Sequence, residues 1–424
     1  MANIRPFRGM RPIPEKVSEV ASPPYDVLDS KEARERAKDR PYSFLHVTKP
    51  EIDLDPSIDL YDPRVYAKGA ENFKRLIAEG ILIQDAKPCF YIYKLRAGDH
   101  EQIGLVAAAS VDEYIQNKIK KHENTRLDKE EDRMNHIKTL NAQTGPVFLT
   151  YRSKKETDNL MQNAMKKKPV YHFIGDYDIQ HTFYVVDKDA LIQKIQTAFA
   201  SIDALYVADG HHRSAAAVRV CELKRKENPH HTGKEEYNFF LSVIFPDSQL
   251  HILDYNRVVA DLNGLSPETF TAKVSKHFEI QPYSACCGEC ESTDEKQFRP
   301  QAPHVFGMYF QGQWFCLSAK KGSFRAGDPI ASLDVSILQQ NLLSPVLGIQ
   351  DPRTDKRIHF VGGIRGLKEL EKLVDSGEYA VAFSLYPTSI QQLLAVADGG
   401  KVMPPKSTWF EPKLRSGLVV HMLD

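Results

Sequence analysis

The stretch Ala204-Leu-Tyr-Val-Ala-Asp-Gly-His-His-Arg-Ser-Ala-Ala-Ala-Val218 decides how this 424-residue chain folds around its functional centre. Residues 205–208 are an unbroken apolar run of strand length, Asp209-Gly210 interrupts it, and residues 215–223 have strong helix formers with apolar residues at helical spacing. The order is therefore strand, tight turn, helix. Gly210 permits a positive φ or a close backbone approach at the turn. The first turn of a helix carries unpaired N–H groups and the positive end of the dipole, which suits a phosphate. Arg213 adds a fork of donors, and His211 and His212 add donors that titrate near neutral pH. Asp209 is an acceptor for a metal or a substrate hydroxyl. The plainer alternative is that Asp209 caps the helix and the histidines sit on a surface turn.

Working outward, the length suggests two or three lobes. The expected division is residues 1–115, a core at 116–265 that holds the turn, and a C-terminal part at 266–424. Strands alternating with helices predict a mixed α/β fold. Lys plus Arg and Asp plus Glu both number 56, so the net charge is zero. That balance gives no global attraction to nucleic acid and argues against it as a partner, as does the lack of a helix-turn-helix pattern beside the turn. No apolar run approaches the roughly 20 residues needed to cross a bilayer. The N-terminal segment lacks the apolar stretch of a secretory signal, and a cytoplasmic location is expected. Cys89, Cys221 and Cys316 lie singly in apolar surroundings. Cys286, Cys287 and Cys290 resemble half of a zinc site, with His277 and His304 as distant candidates, but no second pair completes it and loop thiols are the favoured reading.

Several other segments bear on the site. Ala21-Ser-Pro-Pro-Tyr-Asp-Val27 is expected to be extended because each proline pushes its predecessor out of helical geometry. Residues 28–37 read as a helix capped by Asp29 or Ser30, 44–47 as a strand, 128–140 as a charged helix and 252–259 as one strand. The basic block Ile119-Lys-Lys-His-Glu-Asn-Thr-Arg126 precedes that charged helix. It is either an ordinary solvated approach or a reactive segment. In the second case Glu123 is a general base toward a hydroxyl, with His122, Lys121, Arg126 and Arg133 near phosphates, since phosphoryl transfer demands positioning, charge neutralisation and an oriented attacking oxygen. In the tail, Lys406, Ser407, Thr408, Lys413 and Arg415 offer cations and hydroxyls suited to phosphate oxygens.

Asp209-Gly210-His211-His212-Arg213 followed by Ala215-Ala216 resembles the Gly-x-His-Arg-x-x-Ala signature of the ParB/sulfiredoxin superfamily, and matches the Asp-Gly-His-x-Arg form of its free-serine kinase branch. Sulfiredoxins carry a cysteine just before the His-Arg pair, where this chain has His211. Over nearly its full length the chain also resembles the family called domain of unknown function 1015. The carrying motifs are Ser22–Val27, Lys121–Thr125 with Asp132-Arg133, the Asp-Gly-His-His-Arg block, and Met403-Pro-Pro-Lys-Ser-Thr-Trp-Phe-Glu-Pro-Lys-Leu-Arg-Ser-Gly417. The resemblance implies a ParB/sulfiredoxin-like core and a kinase using Mg²⁺ with ATP or ADP. Free serine or a related hydroxylated metabolite is the implied acceptor. Glu123, Asp209 and His211 would then be catalytic. His122, Arg126, Arg133, Gly210, His212, Arg213, Lys406, Ser407 and Thr408 would hold the nucleotide and its phosphates. Mg²⁺ would arrive with the nucleotide, with Asp209 as its candidate protein ligand. Two further readings stay open: a nucleotide-binding switch that dimerises, and a hydrolase of phosphodiesters or nucleotides.

Overall fold

The computed structural model describes residues 2–282 and 299–424, so Cys286, Cys287 and Cys290 lie outside the described residues. The chain forms two compact units, one of residues 1–250 with 412–424 and one of residues 251–411. The boundary expected at 115/116 thus falls inside one unit, and the last thirteen residues return to the unit that opens the chain.

The first unit is built on a mixed sheet of nine strands among the described residues. The order runs Ile119–Lys120, Leu205–Asp209, Val147–Tyr151, Phe239–Pro246, His100–Ser110, Phe90–Ala97, Gln180–Val186 and Tyr171–Ile174, with Ile4–Arg5 paired to the end of His100–Ser110. Alternation sorts the side chains between its two faces. Phe90, Ile92, Leu105, Ala107 and Ala109 join a core that also takes Ile192, Ile195 and Phe199 from the helix Asp189–Ala200 and Ala216, Ala217 and Val220 from the helix His211–Glu227. The odd-numbered aromatics Tyr91 and Tyr93 face the other way and pack on Phe183, which stacks on Tyr171. Leu205 to Ala208 are all buried, as an unbroken apolar run in a sheet covered on both sides requires.

A second cluster joins Val20, Phe44 and Val47 to Phe73 and Leu76 of the helix Pro63–Ala78 and to Leu140 of the helix Leu127–Leu140. Here the sequence expectation for residues 44–47 is corrected: Leu45–Thr48 is a single helical turn, not a strand. Likewise Tyr25–Val27 is a 3-10 turn rather than extended chain. Asp29 caps Ser30–Ala37 through a reciprocal box with Glu32, as expected.

The tail closes this unit. Ser22 and Ser416 exchange backbone hydrogen bonds, and His421–Met422 pairs with Ala142–Gln143. Gly417 has φ +86°, and a Cβ there would lie 2.8 Å from Cβ and Cγ of buried Phe44. Gly417→Ala is expected to destabilise the protein by roughly 2 kcal/mol or more, combining left-handed strain with overpacking. Urea unfolding reads this, and an unchanged midpoint would remove it.

The second unit carries an antiparallel sheet in the order Phe278–Pro282, Gln313–Ala319, Val305–Phe310, Val381–Leu385, Tyr255–Val259 and Ile358–Gly362. The strand expected at 252–259 is in fact two. His251–Leu253 pairs with Trp409–Glu411, and Tyr255–Val259 enters the main sheet. The break falls at buried Asp254, whose carbonyl accepts from Gly363 and whose carboxylate takes the Asn256 amide. The mixed α/β class expected from sequence is what the chain adopts.

Candidate functional site

The turn of interest lies where several strand ends meet. Ile119–Lys120 and Leu205–Asp209 are parallel neighbours, so both deliver the residues that follow them to the same edge. That is the carboxyl end of parallel strands, where ligand crevices form in α/β sheets. The first strand leads to His122 and Glu123, the second to Gly210 and the helix His211–Glu227. Val147–Tyr151 runs antiparallel to Leu205–Asp209, so its entry, Gly145-Pro146, comes to the same edge.

Gly210 occupies the N-cap with φ +97° and ψ 31°, the left-handed conformation anticipated for it. A Cβ there would stand 3.0 Å from Arg213 Nε and 3.1 Å from its Cζ. Gly210→Ala is therefore expected to cost about 1–2 kcal/mol of stability through backbone strain, with Arg213 displaced in addition. A urea midpoint equal to the unaltered protein's would refute this.

Asp209 is not the helix cap. Its Oδ2 lies 3.4 Å from Arg213 Nη2 and 3.4 Å from Lys413 Nζ, the latter 204 positions away. Burial alone would raise the Asp209 carboxyl, but Lys413, Arg213 and His211 outweigh it and hold the group well below the usual carboxylate range. Arg213 is buried. Its Nη1 donates to the Pro146 carbonyl and its Nη2 faces Asp209 and, at 3.8 Å, Asp26 Oδ2. Only Nε lacks a partner. Most of the Arg213 fork thus braces the turn in this structure. Arg133 is similar, for Nε and Nη2 both donate to Asp132 Oδ2 at 2.9 and 2.7 Å and the guanidinium lies 4.1 Å over the Tyr25 ring. Sequence spacing does not reveal Asp26, Tyr25 and Asp132 as the partners of these arginines, although the dense Pro-Pro-Tyr-Asp motif marks two of them.

On the open side, His211 Nδ1 lies 3.7 Å from Glu123 Oε2, and the His122 and His211 rings meet edge-to-face with centroids 4.5 Å apart. Both histidines are buried, while the Glu123 side chain is about one-third exposed at 32%. Burial lowers His122 to about 4, against small opposing effects of the Val207 backbone and Asp209. Burial, then His122 beside it, takes His211 well below its ordinary value. Both rings are thus neutral at pH 7. His212 Nε2 accepts the backbone N–H of Arg126 at 3.1 Å. The Arg126 guanidinium pairs with Asp128 at the surface, at 2.7 Å. Such an exposed pair is worth little and exchanges readily for a stronger anion.

The turn therefore brings together Glu123, Asp209, His211, His122, His212, Arg126, Gly210 and Arg213, with Arg133 behind them. Lys406, Ser407 and Thr408 belong to the second unit. There the Lys406 carbonyl accepts from Arg257 Nη2 at 2.9 Å, Ser407 Oγ donates to the Pro404 carbonyl at 2.6 Å, and the Ser407 carbonyl accepts from Thr388 Oγ1. The tail motif is divided between the units at 411/412. Its first half folds a loop and the strand Trp409–Glu411, and its second half supplies Lys413 to Asp209.

The geometry defines a mixed α/β protein with a carboxylate–imidazole pair at the start of a helix. The chain belongs to the family described as a protein of unknown function (DUF1015), whose model matches residues 4–336. No curated protein matches it by sequence. Among solved structures, a mutant free serine kinase in complex with AMP is 12% identical, covering 72% of this chain and 87% of that one with a TM-score of 0.34. The ADP complex of another such mutant is 13% identical at 72% and 87% coverage, TM-score 0.33. A conserved hypothetical protein from Pyrococcus furiosus is 15% identical at 74% and 93% coverage, TM-score 0.33. At these TM-scores the likeness carries no functional argument. Among the described residues, no helix is long and apolar enough to cross a membrane.

Proposed function

We propose that this protein is a nucleotide-dependent phosphotransferase acting on a small hydroxylated metabolite, with free serine the first acceptor to test. One observation carries the reading: the Glu123 carboxylate sits 3.7 Å from His211 at the first turn of the helix that Gly210 opens. That arrangement supports a base for an acceptor hydroxyl working beside amides that receive a phosphate. Glu123 takes the hydroxyl proton. The first-turn amides, His212, Arg126 and Lys413 neutralise phosphate oxygens, which is most of what phosphoryl transfer asks of a protein. Arg213 and Arg133 are positioning residues that hold Asp209, Asp26 and Tyr25 in place. Asp209, kept ionised by its two cations, is the carboxylate suited to the Mg²⁺ that a nucleotide brings and that screens phosphate charge.

The test is a thermal-shift series with ATP, ADP and AMP, each with Mg²⁺, followed by incubation with serine. A nucleotide at a hundred times its dissociation constant stabilises by about 2.7 kcal/mol, an easily read rise in Tm. No shift with any nucleotide would remove the proposal. A shift without phosphoserine from either donor would remove serine as the acceptor, and nucleotide-dependent dimerisation in its place would point to a switch.

A further inference from the structure

We propose that His122, Glu123 and His211 form a binding site for one divalent transition-metal ion of the zinc class. One ligand atom from each residue lies within 4.8 Å of the other two. Ligands on a tetrahedral ion with bonds near 2.1 Å stand about 3.4 Å apart, so small side-chain rotations complete the set. The independent observation is the state of the imidazoles. Among the described residues, no group comes within hydrogen-bonding geometry of either nitrogen of His122 or of Nε2 of His211, the Val207 backbone making only a loose approach to His122, although the two residues are only 2% and 4% exposed. A buried polar nitrogen without a partner is costly, and native proteins rarely leave such groups unsatisfied. Coordination gives one nitrogen of each ring a partner.

Ligand chemistry selects the ion. Two imidazoles and one carboxylate suit zinc and its first-row neighbours, whereas Mg²⁺ prefers oxygen-only shells. Three protein ligands leave a fourth position, and Glu123 is part-exposed, so an outside ligand can reach the ion. One carboxylate oxygen on the ion leaves the other for an acceptor hydroxyl, so the site is compatible with phosphoryl transfer but does not rest on it.

The experiment uses the intact chain, stripped with chelator and titrated with Co²⁺ and then with competing Zn²⁺, without nucleotide or acceptor. Failure of this site and failure of the phosphotransferase reading are then separate results. The expected outcome is one Co²⁺ per chain, with visible bands and no thiolate band, displaced by one Zn²⁺. Glu123→Gln, at a part-exposed position, and His211→Gln should each weaken binding at least tenfold, with far-UV circular dichroism confirming the fold. Cys286→Ser combined with Cys287→Ser and Cys290→Ser should leave binding unchanged. The proposal is overturned if the unaltered chain binds neither ion. It is equally overturned if Glu123→Gln and His211→Gln bind as the unaltered chain does, or if only the cysteine variant loses the ion.

Discussion

Glu123→Gln is expected to lower phosphoryl transfer to the acceptor by roughly 10²–10⁴-fold while leaving nucleotide affinity within about twofold, since a positioned general base contributes on that scale. The asymmetry is what makes the test specific. Glutamine keeps the size of the side chain and its contact with His211 but cannot take a proton. In the proposed function the nucleotide is held by the first-turn amides and by His212, Arg126 and Lys413, none of which the change touches. Glu123 is about one-third exposed, so the substitution does not leave an orphaned buried charge, and Tm should stay within a few degrees. The reading is kcat against the nucleotide KM, with Arg213→Lys alongside. That second change removes the brace between Pro146, Asp209 and Asp26, so it should cost stability and affinity together. If Glu123→Gln turns over at an undiminished rate, the carboxylate is not the base and the proposed chemistry fails at its centre.

The difference between those two variants marks how far the site was legible in the sequence. Local features were readable: the apolar run into Leu205–Asp209, the left-handed Gly210 and the helix behind it all follow from neighbouring residues. Glu123 and His211 could be named singly because each stands in a dense polar block after a strand. Their pairing depends on Ile119–Lys120 lying parallel to Leu205–Asp209, a register no spacing along the chain reports. The same holds for charges. Arg213 and Arg133 look like phosphate ligands in sequence, but a buried guanidinium takes whatever carboxylate the fold brings, here Asp26 and Asp209 for one and Asp132 for the other. Residues 44–47 differ from the strand expected because four residues with buried ends are equally a short strand or one helical turn, and packing against Phe73 and Leu76 decides it. The tail motif reads as one cluster, yet the chain crosses from one compact unit to the other inside it.

Acidification from pH 7.5 to 5 is expected to weaken the first unit while leaving the second as stable or more so. His136 is buried, its Nε2 hydrogen-bonded to the Val47 carbonyl at 2.8 Å, and burial with Arg133 nearby lowers it to about 4. His181, against Tyr93 OH at 2.8 Å, is lowered to about 3 by burial and then by Arg415. Above pH 6.5 both rings are neutral whether the chain is folded or not, so the stability of the neutral, packed form is fully present. As pH falls below 6.5 the unfolded chain takes up protons that the folded chain refuses until about 4 or 3, and stability drops through that window. For His136 alone the full difference is about 3 kcal/mol, a large share of a typical 5–15 kcal/mol. In the second unit Asp334 has the opposite sign and is expected to outweigh half-buried His359, which burial and then Arg365 lower. Burial raises the Asp334 carboxyl to about 7 despite a hydrogen bond from the His304 backbone, and its Oδ2 has no partner. Between about pH 4 and 7 the unfolded chain is ionised there and the folded chain is not, so stability in that unit is lost as pH rises. The two units can be followed apart because both tryptophans, Trp314 and Trp409, lie in the second. Urea unfolding watched by tryptophan emission should keep or raise its midpoint on acidification, while the far-UV signal gains an earlier transition. His136→Gln should flatten the pH dependence of that earlier transition whatever it does to absolute stability, and Asp334→Asn should raise the tryptophan midpoint at pH 8. Parallel acid shifts in both signals, or a slope unchanged by His136→Gln, would show that these buried groups do not govern how each unit answers to protons.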